Sequence, residues 1–323
     1  MPIAVIIEQN GGPEVLELRE IERRKPNKGE VWIEQKSIGV NYLDINHRDG
    51  SVPVSLPSGI GIEGAGRVVE VGPEVQGITA GDRVAYALGE LGSYASERMI
   101  SADRLLPLPD WVSYDDAAAI TLKGLTAHYL LHSTYEVKPG TRVLMYGVAG
   151  ALGQTLATWA KSLGAIVIGV VADQQSIELA KQVGCDSVLI WDENQLPVQV
   201  AELTDGKMVD VVYDGIGKDS FDTSLACLRT RGTLVSIGAI SGLPDPIDIV
   251  KINKKSLYLT RPSLVAYTTD PQEYKARGEA VFNAVEKGIL KPTVWKTYPL
   301  SQVREAHQAL QSGQSRGTIL LKP

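Results

Sequence analysis

The sequence predicts an α/β protein: a doubly wound parallel sheet of the Rossmann type joined to a second, β-rich domain. Three observations lead there. The 323 residues suit two domains at roughly 100–200 residues each. The middle of the chain alternates apolar strand-like runs with helical patterns. The loop GVAGALG (147–153), with a glycine at every third position, lies where one such run gives way to a helix.

The first third supplies the β-rich domain. AVII, EVLEL, EVWIEQKSIGV and GAGRVVEVG are short β-branched runs broken by Gly, Pro and Asn, and GDRVAYAL and SYASERMI continue them. Glycine-marked turns between such runs suit a partly open barrel. Near Ser113 the pattern changes. SYDDAAAITLKGLTAHYLLHS has helical spacing, and Asp115 and Asp116 favour the positive end of a helix dipole. Strands are then expected at TRVLMYG, IVIGVVA, SVLIW, VDVVYDGIG and GTLVSIG. Helices are expected at ALGQTLATWAKSLGA and SIELAKQVGC, with a helix-like FDTSLACLRTRG. Continuous apolar strands alternating with helices argue for a parallel sheet covered on both faces. From about Pro262 the chain returns to mixed character: a helix in QEYKARGEAVFNAVEKG, an extended VWKTYPL, a helix in VREAHQALQSG and a terminal strand GTILLKP.

Composition narrows the function. Net charge is -6 with no basic stripe, which disfavours nucleic acid and anionic membranes as partners. No apolar run approaches the roughly 20 residues that span a bilayer. The two cysteines, Cys185 and Cys227, form no CxxC pair, and a reducing cytoplasm is expected. In the glycine loop, the backbone of Gly150, Ala151, Leu152 and Gly153 is placed to approach a pyrophosphate at a helix N-terminus. His128 and His132 have metal-ligand spacing but no third ligand nearby. His47 is expected in a solvent-exposed loop, and Glu63 is expected to order its glycine-rich turn.

Larger motifs add a family. GGPEVLEL opens the chain, SIGVNYLDINHRDG follows as an expected entry strand, and GIEGAGRVVEVGPEV carries Glu63, Gly66, Gly72 and Val75. LKGLTAHYLL, VVYDGIG and LTRPSL lie further on. With these motifs nearly the whole chain resembles the zinc-free quinone oxidoreductases of the medium-chain dehydrogenase/reductase superfamily. The resemblance implies a GroES-like catalytic domain from residues 1–122 and 263–323 and a Rossmann domain over 123–262. It also implies hydride transfer from NADPH to a quinone. Zinc-dependent relatives use a cysteine where Asn41 stands and a histidine where Ile62 stands, and neither substitute replaces a thiolate or an imidazole. Aromatic residues common at the substrate entrance are replaced by Asn46 and Val52.

The implied catalytic residues are Tyr42, Lys123 and Asn41, donors to the charge that develops on a carbonyl oxygen. The implied cofactor contacts are Asn41, Lys123, Thr126, the loop 150–153, Asp173, Ser176, Trp191, Gly238, Arg261 and Arg316. Asp173 lies 20 residues past Gly153, a spacing that taken alone favours NADH. Ser176 and Trp191 stand where relatives place a lysine and a tyrosine on the NADP phosphate, and Lys181 and Arg316 are further sources of charge. NADPH is the expectation. Alternatives are reduction of α,β-unsaturated carbonyls or enoyl thioesters, and a nucleotide-dependent binding protein. A homodimer is expected through SLYLTR (256–261), an apolar edge strand that would otherwise stay open.

Overall fold

Six parallel strands form the central sheet of the computed structural model, which describes residues 1–323. Across the sheet they run Ser187–Ile190, Ile166–Val171, Arg142–Tyr146, Val209–Asp214, Leu228–Ser236 and Tyr258–Thr260. Numbered along the chain, the order is 3-2-1-4-5-6, that of a dinucleotide-binding Rossmann sheet. The strands read as nearly unbroken apolar runs because both faces are covered: Val143 to Tyr146 and Val167 to Val171 are buried throughout. The helix Ala151–Ser162 turns Leu156, Ala157, Trp159 and Ala160 inward. His128 and His132 pack on each other, with ring centroids 4.7 Å apart, and both meet Trp159.

This unit spans 126–268 and 286–290. The other comprises 1–125, 269–285 and 291–323. The first boundary therefore falls inside the helix Tyr114–Tyr129, a few residues beyond the expected 122, and leaves Lys123 with the β-rich unit. The second falls at 268 in place of 262.

In the β-rich unit the long strand Glu30–Val40 is the hub. It pairs antiparallel with Glu63–Val71, Glu97–Ser101 and the C-terminal strand Thr318–Lys322. The C-terminal strand thus completes a sheet built on a strand from the first forty residues. The helix Val303–Gln311 buries Val303, Ala306, His307 and Leu310, the spacing of one helical face. Three of these join Val5, Ile7, Ile38, Ile319 and Leu321 in one core.

Two expected elements change. NYLDINHRDG is not strand: the strand ends at Val40 and a helix runs Tyr42–Asp49, closed by Gly50 in the left-handed region (φ 88°). The helix in FDTSLACLRTRG stops at Cys227, and the strand begins at Leu228. A distant residue sets that stop, since Lys255 Nζ takes the Ala226 and Leu228 carbonyls at 2.9 and 2.7 Å.

Candidate active site

In the β-rich unit the site grows from Glu63, the first residue of its strand and fully buried. A buried carboxylate needs compensating donors. Lys123 Nζ donates to Oε2 at 2.6 Å, Asn41 Nδ2 to the same oxygen at 3.1 Å, and the Leu122 backbone N–H to Oε1 at 2.6 Å. Contrary to the expectation that it orders its glycine-rich turn, Glu63 gathers a helix residue and a strand-end residue onto one anion. Lys123 is 6% exposed and keeps two N–H bonds beyond the one to Glu63, so it is not a solvated surface lysine.

Asn41 occupies the N-cap of the helix Tyr42–Asp49. Its backbone N–H donates to Asp44 Oδ2 at 2.8 Å, which places an acid at the positive end of the helix. Tyr94 O–H donates to that same oxygen at 2.8 Å. Behind Tyr94, His307 Nε2 lies 3.1 Å from the phenol oxygen, and Arg48 Nη1 lies 3.1 Å from His307 Nδ1. Arginine has no acceptor, so Nδ1 must accept, the ring proton sits on Nε2, and the chain runs Arg48 to His307 to Tyr94 to Asp44. Burial and the Arg48 charge push His307 down to about 3, and burial raises Asp44 to about 7. Asp44 Oδ1 is buried without a partner.

Two expectations change here. Tyr42 donates its one proton to the Leu310 carbonyl at 3.1 Å, so its hydroxyl is already committed within the unit and loses the assignment as oxyanion donor. His47 is on a helix, 8% exposed, with Nδ1 buried and unpartnered, and not on an exposed loop. Asp44, Tyr94, Arg48 and His307 were not singled out. Asp44 was readable from its place three residues after the cap residue Asn41; the others lie far away in sequence.

In the Rossmann unit, GVAGALG follows the first strand at the point where strand order reverses, beside the loop that follows Asp214. Gly147 has φ +65°, and a Cβ on Gly153 would lie 2.1 Å from the Gly147 carbonyl oxygen. Only glycine allows that approach, and it turns the start of the helix Ala151–Ser162 toward the loop. Gln154 Nε2 donates to the Ala149 carbonyl at 2.8 Å and holds the turn.

Asp173 follows the second strand, where its Oδ1 accepts from both the backbone N–H and the hydroxyl of Ser176 at 2.9 Å. Ser176 is 3% exposed, so its hydroxyl is not open to a phosphate as expected. Lys181 is exposed and 3.8 Å from Glu178. Trp191 is half-buried and meets Tyr146 edge-on, centroids 5.6 Å apart. Arg261 Nη1 donates to Ser236 Oγ at 2.9 Å and to the Gly238 carbonyl at 3.3 Å, which joins two expected cofactor residues at one strand end. Thr126 is half-buried at the unit's first position, and Arg316, in the other unit, donates to the Gly313 carbonyl at 3.1 Å. Asp214, also missed, accepts from Ile216 N, Gly217 N, Ser220 and Ser224 and stiffens the loop after the fourth strand.

With this geometry in hand, comparison with known proteins decides the family. The model of the alcohol dehydrogenase GroES-like domain matches residues 27–110, and that of the zinc-binding dehydrogenases matches 151–279. Quinone oxidoreductase 1 of Escherichia coli is 41% identical, with all of both chains covered. The chain belongs to the quinone oxidoreductase family of the medium-chain dehydrogenases/reductases. A 2-haloacrylate reductase of a Burkholderia species is 40% identical, covering all of this chain and 99% of that one. The structure of E. coli quinone oxidoreductase complexed with NADPH matches with a TM-score of 0.96, over 99% of this chain and 100% of that one. The fold is therefore a Rossmann sheet plus a GroES-like domain, as the sequence led us to expect.

Proposed function

We propose that this quinone oxidoreductase homologue is an NADPH-dependent quinone reductase that works without zinc. The buried Asn41–Glu63–Lys123 cluster carries the reading. At the positions where zinc-dependent relatives use cysteine and histidine, Asn41 turns an amide N–H, not a lone pair, toward Glu63, and Ile62 is a buried hydrocarbon. Glu63 already has Lys123 as counter-ion. This donor set does not fit zinc, despite the name of the matching family model.

It does fit a hydride acceptor. NADPH supplies the hydride, and a quinone carbonyl gains negative charge as it arrives. We assign stabilisation of that charge to the Lys123 ammonium, held in place by Glu63, which Asn41 steadies in turn through Nδ2, bonded to Glu63 Oε2 at 3.1 Å and to the Gly39 carbonyl at 3.4 Å. The glycine loop would hold the pyrophosphate on the N–H groups at the start of Ala151–Ser162, with Arg261 as supporting charge. Asp173, the acid that would select NADH by bonding ribose, turns Oδ1 inward onto Ser176. NADPH is supported by the resemblance to the quinone oxidoreductases and by the NADPH complex of the E. coli relative.

The 2-haloacrylate reductase among the relatives favours one second reading, hydride delivery to an electron-poor carbon–carbon double bond. Turnover of the purified protein on a panel of quinones, enones and a 2-haloacrylate separates the two. Quinones turning over at least tenfold faster in kcat/KM support the proposal, and the reverse order replaces it. We also infer a cytoplasmic homodimer. Both cysteines are free and buried, which suits a reducing compartment. The edge strand Tyr258–Thr260 pairs on one side only, and Tyr258 is 62% exposed. Light scattering that finds a monomer at micromolar concentration would contradict the dimer.

A further inference from the structure

The hydrogen-bond chain behind Asn41 ends on a carboxylate that the proposed chemistry leaves unused. Asp44 Oδ2 accepts the Asn41 backbone N–H and the Tyr94 O–H. Its other oxygen, Oδ1, is buried with no partner. Charged or titratable groups face Asp44 from each element packed around it. These are Glu63 on its strand, Lys123 on the helix Tyr114–Tyr129, Tyr94 in the turn before Glu97–Ser101, His307 on Val303–Gln311 through Tyr94, and Arg48 on Asp44's own helix. Lys123 and Glu63 neutralise each other, so the bonds at Oδ2 are what hold the ionised form.

We propose that Asp44 is a positioning residue for hydride transfer: its ionised carboxylate, anchored by the Arg48–His307–Tyr94 chain, fixes Asn41 in the geometry the reaction uses. The inference rests on the quinone reductase reading above. A bond to a carboxylate is about twice as strong as one to a neutral carbonyl. Protonation would place the new O–H on Oδ1, where no acceptor waits, and would weaken the hold on the Asn41 N–H at Oδ2. Asp44→Asn reproduces that state at every pH, with a carbonyl at Oδ2 and an unpartnered N–H group at Oδ1. Tyr94 donates to the charged form, so removing its hydroxyl makes Asp44 harder to ionise.

The test is a set of pH–rate profiles with NADPH and 1,4-benzoquinone for wild type, Asp44→Asn and Tyr94→Phe. For wild type, kcat should fall on the acid side with an inflection near 7. Asp44→Asn should lose that limb, with kcat lowered about tenfold at alkaline pH and the KM for NADPH unchanged within about twofold. Tyr94→Phe should keep the limb and move it up by about one pH unit or more. A carboxyl infrared band titrating near 7 in the protein without cofactor, and absent from Asp44→Asn, is the readout independent of turnover. A limb that persists in Asp44→Asn, or stays in place in Tyr94→Phe, overturns this proposal alone. If Asp44→Asn does not fold, the Tyr94→Phe shift decides. A wild type inert toward every quinone overturns the functional reading, and this role with it.

Discussion

Asp44 and His307 make an unusual pair for stability, because their pH effects oppose and cancel. Burial raises Asp44 from 3.8 to about 7, and burial beside Arg48 lowers His307 from 6.5 to about 3. Between about pH 4 and pH 6.5 the folded protein therefore carries one proton on the pair, on Asp44. The unfolded chain also carries one, on His307. Stability changes with pH as the difference in bound protons, so the pair contributes no slope there. Removing either partner exposes the other. In Asp44→Asn only His307 remains: the unfolded chain binds the extra proton, and stability should rise by about 1.4 kcal/mol per pH unit relative to wild type. In His307→Gln only Asp44 remains: the folded state binds the proton, and stability should fall with rising pH by the same amount. Burial is the main cause of each shift, so each group should keep the direction of its shift in the other's absence. Between about pH 4.5 and pH 6 the two variants should diverge by about 4 kcal/mol. Urea unfolding at pH 4.5, 5.3 and 6.0, taken as variant minus wild type, cancels the slope from all other groups. Two difference plots of equal slope would refute the reasoning.

Tyr42→Phe removes a bond to the Leu310 carbonyl, so it should cost about 1 kcal/mol of stability and leave kcat within about threefold; a hundredfold loss of kcat would return Tyr42 to the role of oxyanion donor. Lys123→Met strands a buried carboxylate and should cost about 3–5 kcal/mol, while adding Glu63→Gln should restore most of the stability and none of the turnover in chemical denaturation and steady-state assays. Gly153→Ala drives a Cβ to 2.1 Å from the Gly147 carbonyl oxygen and should raise the Kd for NADPH about tenfold or more by fluorescence titration, with the far-UV spectrum unchanged.

The sheet was legible because largely apolar strand runs alternate with segments of helical spacing, both local signals. The glycine loop was legible for the same reason: the spacing Gly147, Gly150, Gly153 is itself the steric requirement. The side-chain partners were not. Glu63 meets residues 22 and 60 positions away, and His307 meets Tyr94 across 213, so their chemistry exists only once distant segments have packed together. Ser176 misled for the opposite reason. Its partner Asp173 is local, but a serine after an acid reads equally as a free donor or as a closed turn until burial is known. The helix end at Cys227 was invisible because Lys255 sets it from a later segment.

The central claim is hydride transfer from NADPH to a quinone by a site built without zinc. It is tested most directly by kcat/KM on one quinone for NADPH and for NADH, after exhaustive dialysis against a strong chelator. The account predicts turnover unaffected by the chelator and a higher kcat/KM with NADPH. Activity that returns only on adding zinc, or a clear advantage for NADH, would contradict it.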